Sequence, residues 1–300
     1  MQIQFHRKFD FAKLPRDQKV FRCSVDWNGD PLLILQEGKP AEPPTDAPVE
    51  AQLAWRRIPP KAHHVVYWDG KSQRTVSFEQ SESRSSFYLQ RLADGWVLCA
   101  ARGGCAVIYN AQGKALRTLD LGDAIKDVQT TPGGKIWVSY FDEGVYDGGI
   151  GNQGAVCFDS SGRVIFKYFE FAEPLGLPFI DDCYAINVAS EDEVWLSYYS
   201  DFPLVGIRAF KLHQYWKEFG CMARAFGICE EAVIFPKCYT RIQGGTAQLL
   251  RRTLSTTPQT ELAEAVDDLG ETIAGQFQAA ARGSHFFLWT RSALYEMEST

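Results

Sequence analysis

The chain has 300 residues, 45% hydrophobic and 13% aromatic, with 23% charged and a formal net charge of -6. That supply of apolar side chains excludes a disordered chain. The acidic balance excludes a nucleic-acid backbone as the main partner, because such binding draws on clustered Lys and Arg.

In chain order, residues Met1 to Phe11 alternate polar and apolar side chains without a long apolar run. This reads as a strand, not as a signal peptide or membrane anchor, so the expectation is a cytoplasmic protein with no membrane partner. Tight-turn pairs then recur at Asn28-Gly29, Asp94-Gly95, Gly133-Gly134, Glu191-Asp192, Glu230-Glu231 and Gly283-Ser284. A mixed strand precedes each pair and an apolar one follows: Pro31 to Leu35, Trp96 to Ala101, Lys135 to Phe141, Glu193 to Tyr199, Ala232 to Lys237 and His285 to Thr290. The spacings between pairs are 66, 39, 58, 39 and 53 residues, and the minimum of 39 suits a four-stranded unit with the excess in loops.

Second hairpins complete the units, with Val65 to Phe78 turning at Asp69-Gly70, Val107 to Leu119 near Asn110 to Gly113, and Val156 to Phe169 at Asp159 to Gly162. Such Asp, Asn and Gly clusters tolerate positive φ at little cost. The clearest repeat is Ile136-Trp137-Val138-Ser139-Tyr140-Phe141, which matches Val194-Trp195-Leu196-Ser197-Tyr198-Tyr199 position for position. Gly38 to Lys61 holds six of the 14 prolines and reads as a loop insertion. Glu261 to Gly275 reads as a polar loop in preference to a short amphipathic helix. The last unit ends at Ala293 to Met297 without a fourth strand, which Ile3 to Phe11 supplies. The prediction is a single all-β domain over residues 1–300, a six-bladed β-propeller of four-stranded antiparallel blades whose ring is closed by the N-terminal strand.

By this spacing and these turns the chain resembles six-bladed β-propellers in general. The lactonase and phosphotriesterase-like propellers share the six blades, and that resemblance implies a divalent metal held in the central channel by Glu, Asn and Asp. Their Glu-Gly-Pro and Asn-Gly signatures at blade starts are missing here. Trp68-Asp69 resembles the dipeptide of WD repeats but occurs once.

Propeller geometry puts the long connections on one face: Gly38 to Lys61, Asp142 to Gly154, Ser200 to Leu204 and Tyr239 to Thr246, with Glu79 to Ser86, Glu170 to Asp181 and Glu261 to Gly275 between blades. Asp142, Glu143, Asp147, Asp181, Asp182 and Asp201 make that face acidic, and Tyr146, Tyr199 and Phe202 stand among them. Acidic charge favours a basic protein partner and aromatic side chains anchor it. A concrete form is an immunity protein that neutralises a basic toxin domain. The ordinary reading of the same residues is polar loops with aromatics plugging the blades. Counting back from the turns places Ser24, Gln90, Gln129 and Asn187 along the channel, with Arg22, Tyr88, Asp127 and Arg224 two positions further from the turns. Such a wall suits a small polar ligand or a file of waters.

No catalytic motif accompanies these residues. Gly149-Ile150-Gly151-Asn152-Gln153-Gly154 fits the dinucleotide fingerprint, but a strand follows it, so no helix N-terminus meets a pyrophosphate. His6, His63, His64, His213 and His285 fall in different units, and His63-His64 reads as surface. No Gly-x-Ser-x-Gly elbow or nucleophile and base pair is recognisable. Eight cysteines without a Cys-x-x-Cys pair predict free buried thiols, including Cys23, Cys99, Cys157, Cys183 and Cys229. The expectation is a binding protein with no catalytic residue and no cofactor, calcium or magnesium on the carboxylates being the lesser possibility. The alternative is a metal-dependent hydrolase of the lactonase type with its site at the channel mouth.

Overall fold

The computed structural model describes residues 1–38, 43, 46–58, 62–69, 72–78, 87–237 and 245–298. After β1 (Gln2–Asp10) come four antiparallel meanders of four strands each. They are β2 (Gln18–Val25), β3 (Pro31–Glu37), β4 (Ala62–Asp69) and β5 (Ser72–Phe78); then β6 (Phe87–Leu92), β7 (Gly95–Ala100), β8 (Cys105–Tyr109) and β9 (Ala115–Asp120). The third is β10 (Ile125–Thr130), β11 (Ile136–Tyr140), β12 (Ala155–Phe158) and β13 (Val164–Lys167), and the fourth is β14 (Asp182–Val188), β15 (Glu193–Tyr199), β16 (Leu204–Arg208) and β17 (Lys211–Trp216). The remaining strands are β18 (Gly227–Ile228), β19 (Ala232–Pro236), β20 (Gln248–Thr253), β21 (Thr260–Val266), β22 (Gln278–Arg282), β23 (His285–Trp289) and β24 (Ala293–Met297). They join β1 in one eight-stranded sheet, in the order β18-β19-β20-β21-β1-β24-β23-β22.

The seam in that large sheet is β1, antiparallel to β24 and parallel to β21. The N-terminal strand therefore covers the edge of β24, as its alternation predicts, and buries Ile3 and Phe5 as it does so. Apolar cores lie between successive sheets. Val97 and Leu121 pack with Val138 and Val156 between the second and third sheets, and Cys157 and Phe166 pack with Ile186 and Leu196 between the third and fourth. Cys23 and Leu33 of the first meander meet Phe287 and Leu294 of the large sheet, so the packing returns to its start. The outer strand β9 is mostly exposed, whereas β11 is buried throughout. This gradient is what a sheet standing edge-on to a central axis requires.

The matched repeats occupy matching positions, for Trp137 pairs with Gln129 and Trp195 pairs with Asn187. Gly206 is required beside Trp195, since a Cβ there would come within 2.7 Å of the indole ring. At the turn between β10 and β11, Gly134 takes φ +87°, which L side chains rarely adopt.

The structure corrects several expectations. The start of Glu261 to Gly275 is strand, not loop: β21 alternates buried Ala263 and Ala265 with exposed Leu262, and its pairing with β20 and β1 overrides the weak strand preference of alanine. Gly38 to Lys61 contains a helix, α1 (Val49–Arg57); residues 39–42, 44, 45 and 59–61 of that segment lie outside the described residues. So do Gly70 of the Asp69-Gly70 turn, and the connections over residues 79–86 and 239–244. His63 and His64 are buried, not surface, because β4 is an interior strand of its sheet. All seven described cysteines are free, and Cys105 and Cys229 are only half-buried. No helix of the described residues is long and apolar enough to cross a membrane.

Candidate functional site

Each meander begins with an edge strand, and these edges converge. An unpaired edge exposes backbone N–H and C=O groups that must find partners when buried. Side chains of neighbouring first strands supply them. The Gln129 amide donates to the carbonyls of Ile186 at 3.0 Å and Ala281 at 3.4 Å, and its oxygen accepts from the Val188 N–H at 2.8 Å. The Asn187 amide donates to Phe226 O at 2.7 Å and Gly283 O at 3.1 Å, and its oxygen accepts from the Gly283 N–H at 2.7 Å. Arg282 donates to Thr130 O, and the Thr130 hydroxyl donates to Arg91 O at 2.5 Å. Bonds from β10 to β14 and β22, and from β14 to the turn that follows β22, draw the axis together at the tight-turn end.

Further from the tight turns the lining becomes ionic. Pairing registers break between Val20 and Arg22 in β2, between Ile125 and Asp127 in β10, and between Asp182 and Ala185 in β14. Bulges of this kind re-aim side chains and bend the strand locally. The Arg22 guanidinium lies 4.1 Å from the centroid of the Tyr88 ring. The Tyr88 hydroxyl, whose pKa burial raises, sits in the combined field of Arg22, Asp127 and Arg224. Asp127 accepts from the Val128 N–H at 2.8 Å, yet burial outweighs that bond and the nearby Arg22, pushing its pKa up to about 6. Buried Lys126 reaches Asp182 at 3.6 Å and lies 4.2 Å from the Phe141 ring centroid. Burial raises the pKa of Asp182 in spite of that lysine.

This ionic end of the channel adjoins the acidic loops. The short helix α2 (Asp142–Val145) opens on Asp142, whose carboxylate accepts from the Glu143 N–H at 2.9 Å. Glu143 pairs with Arg102 at 2.7 Å, which lowers its pKa. Tyr146 donates to Asp181, and Asp142 and Tyr199 lie close enough to act on the same phenol, whose pKa is raised chiefly by the Asp181 bond. Phe202 packs edge-on against Tyr184 at 5.2 Å and Tyr199 at 5.7 Å. Tyr146 is 67% exposed, Phe179 52% and Tyr199 48%. Tyr146 and Tyr199 lie close to each other, so their exposed rings share one patch.

Of the residues singled out in the sequence, Asp142, Glu143, Tyr146, Asp181, Asp182, Tyr199 and Phe202 come together. Asp147 instead closes its own turn by accepting from the Gly149 N–H at 2.8 Å, and exposed Asp201 acts on Tyr215 further along the sheet. In the channel, Asp127 and Arg224 stay beside Arg22 and Tyr88, whereas Gln90, Gln129 and Asn187 bond to protein groups, Gln90 to the Ser24 hydroxyl. Lys126, Phe141 and Tyr184 were not singled out as channel residues, because the bulges break the two-residue count used to find the wall.

The sequence also hid a cross-strand chain. His64 Nδ1 lies 2.8 Å from the Ser77 hydroxyl and its Nε2 lies 2.7 Å from Glu37 Oε2, across three strands of one sheet. Strand register joins these residues, and no spacing in the sequence announces it. Among the described residues, no three His, Cys, Asp or Glu side chains converge in a way that would hold a metal ion.

Residues 155–297 match a family model described as the YxzG family. No curated protein matches the chain. Among solved structures, the chain is similar to a catalytically inactive variant of virginiamycin B lyase from Staphylococcus aureus with quinupristin. The identity is 9%, with 97% of this chain and 99% of that one covered and a TM-score of 0.54. The selenomethionine-substituted lyase from the same organism is 10% identical, with 96% of this chain and 83% of that one covered and a TM-score of 0.54. A gluconolactonase from Xanthomonas campestris is 11% identical, with 94% and 86% covered and a TM-score of 0.41. The likeness to the lyase structures shows a fold of the β-propeller type.

Proposed function

We propose that this protein is a single-domain, six-bladed propeller that binds a basic protein partner through the face formed by its third and fourth sheets. The blade count takes the eight-stranded sheet as two blades, β18 to β21 and β22 to β24 with β1, meeting at the parallel pairing of β1 with β21. The carrying observation is the exposed pair Tyr146 and Tyr199 set beside Asp142 and Asp181, with Asp182 next to Asp142. Aromatic side chains give rigid apolar anchors at low entropic cost, and the carboxylates speed encounter with a cationic surface. A basic toxin domain held by an immunity protein is one form of this pairing, and charge is its support.

The test has two stages. Tagged protein, coexpressed with the product of the neighbouring gene, is used to capture partners from its host's lysate at low and moderate salt. The affinity of a retained basic protein is then compared between the native chain and Asp142→Asn/Glu143→Gln/Asp181→Asn. Weaker binding with a flatter salt dependence supports the reading, and unchanged affinity removes it.

A second reading, an enzyme with its site at the channel mouth, is favoured by Asp127, whose pKa of about 6 suits proton transfer near neutral pH. Turnover abolished by Asp127→Asn in an otherwise folded protein would move the assignment there.

A further inference from the structure

A polar chain crosses three strands of the first sheet, assembled by their register. Ser77 on β5 lies directly opposite His64 on β4, and His64 lies opposite Leu35 on β3. Glu37 stands two residues beyond Leu35, so its side chain shares that face and reaches the imidazole diagonally. Glu37 Oε2 is thereby placed 2.7 Å from His64 Nε2, and the Ser77 hydroxyl 2.8 Å from Nδ1. Exposure is graded along the chain. His64 is 9% exposed and faces the side on which Leu35 and Val66 enter the apolar core, whereas Ser77 is exposed on the outer strand.

The two bonds fix each other's sense. A carboxylate can only accept, so Nε2 carries the hydrogen of the neutral imidazole and Nδ1 keeps its lone pair. The donor toward Nδ1 is then the Ser77 O–H. A ring without the carboxylate could hold its hydrogen on either nitrogen, and Glu37 removes that choice. A serine hydroxyl bonded to the lone pair of an imidazole, itself held by a carboxylate, is how a weak nucleophile becomes a useful one.

We propose that Ser77 is a nucleophile for acyl transfer, with His64 as its base and Glu37 as a positioning residue. Ser77 Oγ bonds to the acyl carbon of an ester while its proton passes to His64 Nδ1. The adduct then breaks its C–O bond to the leaving alcohol, which takes the proton from Nδ1. Water repeats both steps on the acyl-serine, releasing the acid and restoring the hydroxyl. Because Ser77 is open to solvent, an acyl group needs no cavity to reach it and meets no enclosing wall. Selection then falls on the leaving group, and activated esters, such as aryl esters, are the class expected. The site belongs to the first sheet, so it is independent of the acidic face on the third and fourth.

The test uses the full chain with p-nitrophenyl acetate. A burst of p-nitrophenolate approaching one per chain is expected, with acetyl found by mass spectrometry on the peptide that carries Ser77. Ser77→Ala, at an exposed position, should fold as the native chain does and lose both. Glu37→Gln should slow acetylation of Ser77 about ten-fold or more, since an amide no longer dictates the tautomer. Nitrogen NMR of the neutral imidazole gives a second readout: hydrogen on Nε2 in the native chain, and a mixed or reversed tautomer in Glu37→Gln. Three outcomes overturn the inference: acetylation of Ser77 no faster than that of other exposed serines, an undiminished rate in Glu37→Gln, or hydrogen on Nδ1 in the native chain.

Discussion

The side-chain oxygen of Gln129 accepts a hydrogen bond from the backbone N–H of Val188 at 2.8 Å, while its amide nitrogen donates to the carbonyl of Ile186 at 3.0 Å. One side chain thus pairs both outward-facing groups on a stretch of the buried edge of β14, as a neighbouring strand would. Asn187 does the same for Gly283 from the next sheet. The first strands are held to one another through side-chain amides, and this explains how buried edges are tolerated around the axis.

Replacing Gln129 with leucine keeps much of the volume and removes these two bonds together with the longer one to Ala281 O. The Val188 N–H and the Ile186 carbonyl are then buried without partners, at about 1–3 kcal/mol each. Urea unfolding should show a midpoint shift equivalent to about 3 kcal/mol with an unchanged slope. A loss below about 0.5 kcal/mol, the range of ordinary surface substitutions, would mean that water enters and takes over the bonds.

The repeated Ser-Tyr pair makes a second prediction. Tyr140 donates to Leu121 O at 2.5 Å and Tyr198 donates to Pro178 O at 3.0 Å, each carbonyl lying four residues before the first strand of the tyrosine's own sheet. The same position in two repeats therefore clamps the same connection. Tyr198 also shares a 2.5 Å bond with the Tyr168 hydroxyl. Tyr140→Phe and Tyr198→Phe should each cost about 1–2 kcal/mol in chemical denaturation. Tyr198→Phe alone should speed amide exchange in residues 176–181, which carry Phe179 and Asp181 onto the acidic face.

These particulars show which parts of the fold were legible. Turn pairs and alternating strands revealed the meanders because local chemistry writes them directly, through Gly134 at positive φ and through the matched Trp137 and Trp195. β21 escaped because Ala263 and Ala265 carry no strand preference and acquire their place only from partners elsewhere in the chain. The same limit applies to the site. Asp142, Tyr146 and Asp181 lie in loops whose composition is visible, whereas Lys126 enters through a bulge, and His64 meets Glu37 and Ser77 through register. Counting by twos finds a regular strand's faces and fails at each irregularity.

Closure by the N-terminal strand is open to direct attack. Phe5 is fully buried and packs edge-on against Phe286 at 6.3 Å. Phe5→Ala should destabilise by about 3–5 kcal/mol through lost contacts and the cavity left behind. Removal of residues 2–10 should do more than destabilise, because it uncovers the edges of β24 and β21 together. Light scattering should then report concentration-dependent association, as free edges pair between molecules. A truncated chain that stays monomeric with native thermal stability would show that β1 is not needed for closure.

Asp127 gives a pH prediction with a definite sign. Its pKa stands at about 6 in the folded protein, against an ordinary value of 3.8, because burial penalises the carboxylate more than Arg22 and Lys126 favour it. The folded state therefore holds this proton over a range in which the unfolded chain has released it. Stability from this group is fully present below about pH 4, falls as pH rises, and is lost above about pH 6, amounting to up to about 3 kcal/mol. Asp127→Asn cannot ionise, so it should melt above the native protein at pH 7.5, with the gap closing as the pH approaches 4. Thermal unfolding of both proteins across this range measures the gap. A variant less stable than the native protein at pH 7.5 would reverse the balance, and would mean that the ionised carboxylate is held by Arg22 and Lys126 more strongly than burial opposes it.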